Sequence, residues 1–87
     1  MLLHPILAIA DYDKGIDAAE RGDFTTAHRE FLRAAERGHL ISQYYVALMY
    51  DQGRGVAEND PEAVRWYRQA AEQGLPDAQH DLGVMLE

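Results

Sequence analysis

The chain is 87 residues long, room for one small domain whose single core sits near the lower limit of independent stability. Apolar and aromatic residues make up 47% of it, which sets it apart from disordered chains, and the absence of cysteine excludes a disulfide framework and a thiolate metal site. A formal net charge of −7 opposes nucleic-acid phosphates and anionic membranes, and favours a basic peptide or protein surface as partner.

Residues 1–10 form an apolar stretch too short to span a bilayer. They end in Ala8-Ile9-Ala10 before Asp11, a small-x-small pattern like a processing site, without the basic start of a secretory signal. Two expectations follow. As the remnant of a signal, the segment makes the protein exported, with a periplasmic destination; as an apolar arm folded over the first helices, it fits the cytoplasm equally well.

Residues 11–21 read as a first short helix, stopped by Gly22-Asp23. In residues 24–37, Ala27, Phe31, Ala34 and Ala35 recur at three- and four-residue steps, one face of a helix, and Gly38 stops it. His39 follows that glycine, where a cation near the carbonyl end of the preceding helix is the expected structural role. A third helix over residues 40–52 carries Tyr44, Val46, Leu48, Met49 and Tyr50, and Gly53-Arg54-Gly55-Val56 breaks it into a loop. Asn59 or Asp60 is the expected N-cap of the fourth helix, with Pro61 and Glu62 in its first turn. That helix bears Ala63, Trp66, Tyr67, Ala70 and Ala71 and stops at Gly74; Pro76-Asp77 opens the fifth, with Ala78, Leu82, Met85 and Leu86 along it.

A shift of 36 positions superimposes Ala27 on Ala63, Phe31 on Tyr67, Ala34-Ala35-Glu36 on Ala70-Ala71-Glu72, Gly38 on Gly74, and Gln43 on Gln79. Matches at one offset across two helices and their turn define an internal repeat, the signature of a helical solenoid. Alanine and glycine at the shared positions let helix axes approach, and Phe31 and Tyr67 fill the holes between them.

The run Asp60-Pro61-Glu62-Ala63-Val64-Arg65-Trp66-Tyr67-Arg68-Gln69-Ala70-Ala71-Glu72-Gln73-Gly74 resembles the second-helix signature of the Sel-one-like repeat (SLR) family, a relative of the tetratricopeptide repeat. Asp77-Ala78-Gln79 with Leu82-Gly83 is similar to its first-helix signature, and Gly53-Arg54-Gly55-Val56 to its glycine-bearing loop. The first pair, through Gly15, Gly22-Asp23-Phe24, Ala27 and Phe31, resembles a tetratricopeptide unit more closely. The resemblance implies an all-α, right-handed solenoid of about two and a half helix pairs: residues 11–37, residues 40–73 and a half unit at 76–87.

It also implies a site. In the family the first helix of each pair lines the concave side. Aligning first helices on Gly15, Ala47 and Gly83 makes Tyr12, Tyr44 and His80 equivalent and places Ile16, Leu48 and Val84 one residue beyond the small position. Glu20, Asp51 and Asp77 are expected on the rim. Such a groove would hold a peptide with apolar anchors and a few Lys or Arg, while burial in the core is the plain alternative for Ile16, Leu48 and Val84. The expected function is therefore protein binding, as an adaptor, scaffold or inhibitor. The alternative is structural self-assembly through Leu82, Met85 and Leu86 on the open face of the last helix.

Enzymatic readings are weak. His4, His28, His39 and His80 lack metal-ligand spacing, so no metal and no cofactor are expected. Gly53-Arg54-Gly55 lacks the strand and the Lys-Ser/Thr of a phosphate cradle, and Ser42 has no catalytic neighbour in sequence. A hydrolase is the distant third reading.

Overall fold

The computed structural model describes residues 5–87 as five α-helices: α1 Pro5–Glu20, α2 Phe24–Glu36, α3 Leu40–Gln52, α4 Asp60–Glu72 and α5 Pro76–Met85. Consecutive helices pack on one another, α1 on α2, α2 on α3, α3 on α4 and α4 on α5, as in a solenoid built of hairpins. Four of the five helices start within one residue of the sequence-based expectation. The first does not. Pro5 is the first described residue of α1, and Ala8 and Ala10 continue the helix without a breaker. Residues 5–10, set apart in the sequence reading as an arm or signal remnant, are the opening turns of α1; residues 1–4 of that segment lie outside the described residues.

Side-chain caps set the other boundaries. The Asp23 carboxylate accepts from the Thr26 N–H at 3.2 Å, and the Asn59 amide oxygen from the Glu62 N–H at 3.1 Å. The cap of α3 corrects an expectation. His39 is no cation at the end of α2; its Nδ1 accepts from the Ser42 backbone N–H at 3.2 Å and meets the Ser42 hydroxyl at 2.8 Å. A nitrogen that accepts in this way carries no proton, so the imidazole caps α3 in its neutral form. Burial holds its pKa below the usual imidazole value, against an opposing push from Asp13.

The core is made of alanines and rings. Ala18, Ala27, Ala35, Ala47, Ala63, Ala70 and Ala78 are buried with Phe31, Val46, Met49, Trp66 and Tyr67. Gly15 shows why the shared small position matters: a Cβ there would lie 2.6 Å from the Phe31 ring, so only glycine admits the ring at this crossing. Successive hairpins are joined by one hydrogen bond repeated at the 36-residue period. Gln43 Nε2 donates to the Ala35 carbonyl at 3.2 Å, and Gln79 Nε2 to the Ala71 carbonyl at 3.1 Å, each the second donor to an oxygen at a helix end that also accepts the Gly38 or Gly74 N–H.

Candidate functional site

The first helices α1 and α3 flank an apolar depression of about 240 Å³. Ile16 and Ala19 of α1 form one wall, Tyr45, Leu48 and Met49 of α3 the other, and Phe24 and Phe31 of α2 complete the lining. Gln52 and Arg54 close one end. Arg54 is held there by its loop. Gly53 ends α3 with φ 65°, and Gly55 turns at φ 76° against the start of α2, where a Cβ would sit 2.1 Å from the Phe24 carbonyl oxygen. With the loop pressed down in this way, the Arg54 guanidinium stands 4.9 Å from the Phe24 ring centroid, a cation–π contact at the mouth.

Of the residues expected in the groove, Ile16 and Leu48 are brought together on opposite walls of this depression, both half-buried. Tyr12 is half-buried one turn away, its ring 5.9 Å from Phe31, 4.7 Å from His39 and stacked at 6.2 Å on Tyr45. Tyr44 is engaged elsewhere. Its hydroxyl donates to Asp81 on α5 at 2.7 Å, and its ring lies 5.9 Å from Tyr67. Asp51 likewise accepts from the Tyr67 hydroxyl, at 2.9 Å. Burial and the neighbouring carboxylates push both tyrosine hydroxyls well above the usual phenol range. Glu20, Asp77, His80 and Val84 are exposed, with Val84 at 54%. On α5, Leu82 and Met85 are half-buried against the core and Leu86 is 56% exposed.

Sequence reasoning missed Tyr45, Phe24 and Arg54 as parts of the depression, and Asp81 as the partner of Tyr44. Tyr45 touches as many rings as Tyr12, with Phe31 at 5.1 Å and Tyr44 at 6.3 Å besides Tyr12 itself. Its signal was its place beside Tyr44, masked because alignment on the small residues picks out only one of the two.

Charge is divided between the two sets of helices. The first helices α1, α3 and α5 carry Asp11, Asp13, Asp17, Glu20, Asp51, Asp77 and Asp81 against a single cation, Lys14. The second helices nearly balance, with Glu30, Glu36, Asp60, Glu62 and Glu72 against Arg29, Arg33, Arg65 and Arg68. Almost all of the net negative charge therefore resides on the first helices, and α1 and α3, which flank the depression, hold five of the seven carboxylates together with Lys14. Among the described residues, no group of three or more His, Asp or Glu side chains is arranged to hold a metal ion, and no helix is long and apolar enough to cross a membrane.

Stacked antiparallel hairpins with a shared small position and a repeated interhairpin hydrogen bond define a helical-repeat protein of the solenoid class. The Sel1 repeat family model matches residues 7–39, 40–75 and 76–87, and the chain belongs to that family. Its fold is similar to a Sel1 repeat protein from Oxalobacter formigenes, with a TM-score of 0.87 and 30% identity over 90% of this chain and 24% of the other. A protective antigen of uropathogenic Escherichia coli strains displaying an SLR fold superposes with a TM-score of 0.81 at 41% identity, over 90% of this chain and 18% of that one. In sequence, the chain is 41% identical to an exopolysaccharide production negative regulator of Rhizobium meliloti, across 83% of this chain and 27% of the relative. It is 39% identical to DAP3-binding cell death enhancer 1 of Rattus norvegicus, across 92% of this chain and 23% of the relative. The chain thus spans about a quarter of the length of these curated relatives.

Proposed function

We propose that the chain is a protein-binding module that holds a basic peptide or protein surface against the face formed by its first helices. The observation that carries this reading is the apolar depression between Ile16 and Leu48, set between helices α1 and α3, which hold five carboxylates and one cation. An apolar side chain of the partner enters between the walls and supplies affinity; Lys or Arg beside it meets the carboxylates, which set orientation and encounter rate. A site built on packed helices costs little entropy on binding, because it is formed before the partner arrives. The relatives named as a negative regulator and as a DAP3-binding protein are consistent with action through another macromolecule.

The test is capture of a partner with the intact protein, followed by affinity measurements with Leu48→Gln and Ile16→Gln. Removing one apolar contact of this kind is worth about 1.5–3 kcal/mol, roughly a tenfold to hundredfold loss. Helical circular dichroism should be unchanged, since both side chains are only half-buried, and added salt should slow association. Unchanged affinity in both variants moves the site elsewhere.

A further inference from the structure

Among the described residues, four arginines are taken up by carboxylates: Arg21 by Asp17, Arg33 by Glu30, Arg37 by Asp11 and Arg65 by Glu62. Arg54 is not. It stands exposed at the mouth of the depression between α1 and α3 and makes no ion pair among the described residues, in a chain with 15 acidic and 8 basic side chains. Glu20, which follows Ala19 at the same end of α1, leaves it unpaired.

The loop fixes where this cation sits. Besides the two left-handed glycines on either side of it, the Arg54 N–H donates to the Met49 carbonyl at 3.0 Å. The Phe24 ring attracts the guanidinium through its π face and takes none of its N–H donors, which remain free for the two oxygens of a carboxylate. The opposite end of the depression has the opposite sign. Tyr12 and Tyr45 stack there, and burial, Tyr45 and Asp13 together push the Tyr12 hydroxyl above the usual phenol range, which sets Asp13 beside that end. Asp13 is exposed and, among the described residues, unpaired. Between Tyr45 and Gln52 helix α3 rises about 10 Å, the span of about three residues of an extended chain.

We propose that Arg54 is the specificity-determining residue of this groove, and that the partner segment it selects is dipolar. An apolar side chain of that segment seats between Ile16 and Leu48, an Asp or Glu beside it pairs with Arg54, and a Lys or Arg on its other side meets Asp13. The inference rests on the groove reading given above and sharpens it, because a uniformly basic segment sets a cation against Arg54 and is repelled there. An arginine already held over a ring loses little freedom when a carboxylate arrives, and its planar fork binds both oxygens at once. Ends of opposite sign also admit the segment in one direction only.

The probe is a random peptide library displayed on phage, selected in parallel on the intact protein, on Arg54→Glu and on Leu48→Gln, each first shown to keep its helical circular dichroism. The intact protein should enrich peptides with an apolar residue between an acidic and a basic one; Arg54→Glu should enrich peptides without the acid, and Leu48→Gln neither kind. An enriched peptide is then synthesised with a fluorescent label and titrated by anisotropy. Replacing its acidic residue by the amide should weaken binding to the parent about fivefold and to Arg54→Gln not at all, with Arg54→Lys in between. Uniformly basic peptides, or an acid whose removal costs the same in the parent and in Arg54→Gln, overturn the proposal, and if Leu48→Gln abolishes their binding the groove reading stands without it. No enrichment, or peptides indifferent to Leu48→Gln, means that the groove reading itself has failed, and the proposal falls with it.

Discussion

The seam between α1 and α3 and the seam between α3 and α5 descend from one repeat, yet they are finished differently. The first is apolar and open, with Ile16 facing Leu48 across a depression floored by Phe31. The second is drawn together by a hydroxyl, Tyr44 of α3 donating to Asp81 of α5, while behind it Tyr67 of α4 donates to Asp51 within the hairpin. Tyr44 and Tyr12 occupy equivalent positions, and the difference lies in what stands opposite: α5 offers a carboxylate, whereas Tyr12 meets the rings of Tyr45 and His39. Repetition places the rings; single residues on the neighbouring helix decide whether a seam closes or stays available.

Truncating a ring of the first seam should have the largest effect. Phe31→Ala empties the notch at Gly15 and removes the floor of the depression, and should cost about 3–5 kcal/mol of unfolding free energy in urea titration. In a domain whose total stability is about 5–15 kcal/mol, that is enough to leave the chain largely unfolded if it sits at the lower end. The second seam should respond to a much smaller change. Tyr44→Phe deletes only a hydroxyl, but one bonded to a carboxylate in a part-buried site, and should cost about 1.5–3 kcal/mol. If Tyr44→Phe is neutral, the second seam is held by packing alone and the contrast between the two fails.

The smallest effect is one of pH. His39 and His28 are both held below the ordinary imidazole pKa, in each case mainly by burial. A histidine shifted down gives the unfolded chain more bound protons, so its contribution to stability is complete above about pH 6.5 and declines as pH falls from there towards the folded value. His39→Asn keeps a good cap for α3 in a side chain that does not titrate. Its urea midpoint should match the parent near neutral pH and fall less steeply on acidification, the slope that remains coming from His28 and, at lower pH, from Asp23 and Glu62, whose carboxyls are held below the usual range by their hydrogen bonds to Thr26 and Arg65. An identical acid profile in the two proteins would mean that His39 binds its proton equally well in the folded and unfolded chain, which the capping geometry rules against.

Much of the fold is legible in the sequence because its determinants are local or periodic. Gly38, Gly53 and Gly74 mark helix ends with positive φ, Asn59 caps α4, and the 36-residue offset of Phe31 and Tyr67 announces the stacking before any contact is known. The helical state of residues 5–10 was hidden for a related reason: they carry a composition shared by helices, arms and export signals. His39 was hidden because the same imidazole is a cation at one helix end and an acceptor at the next, and only geometry tells which end it serves.

The candidate site was legible only in outline. Ile16 and Leu48 could be aligned from the repeat, and they do share a depression. That Tyr44 serves the second seam, that Asp51 holds Tyr67 within its own hairpin, and that Arg54 is carried over Phe24 by a loop pressed on α2, depends on groups far apart in the chain. The sequence by itself determined the helices, their ends and their period, since these follow from backbone sterics, capping and the spacing of small and aromatic residues. Only the tertiary structure decided which face stays open, because an open face is a relation between side chains on different helices, set by what each neighbour fills or leaves empty.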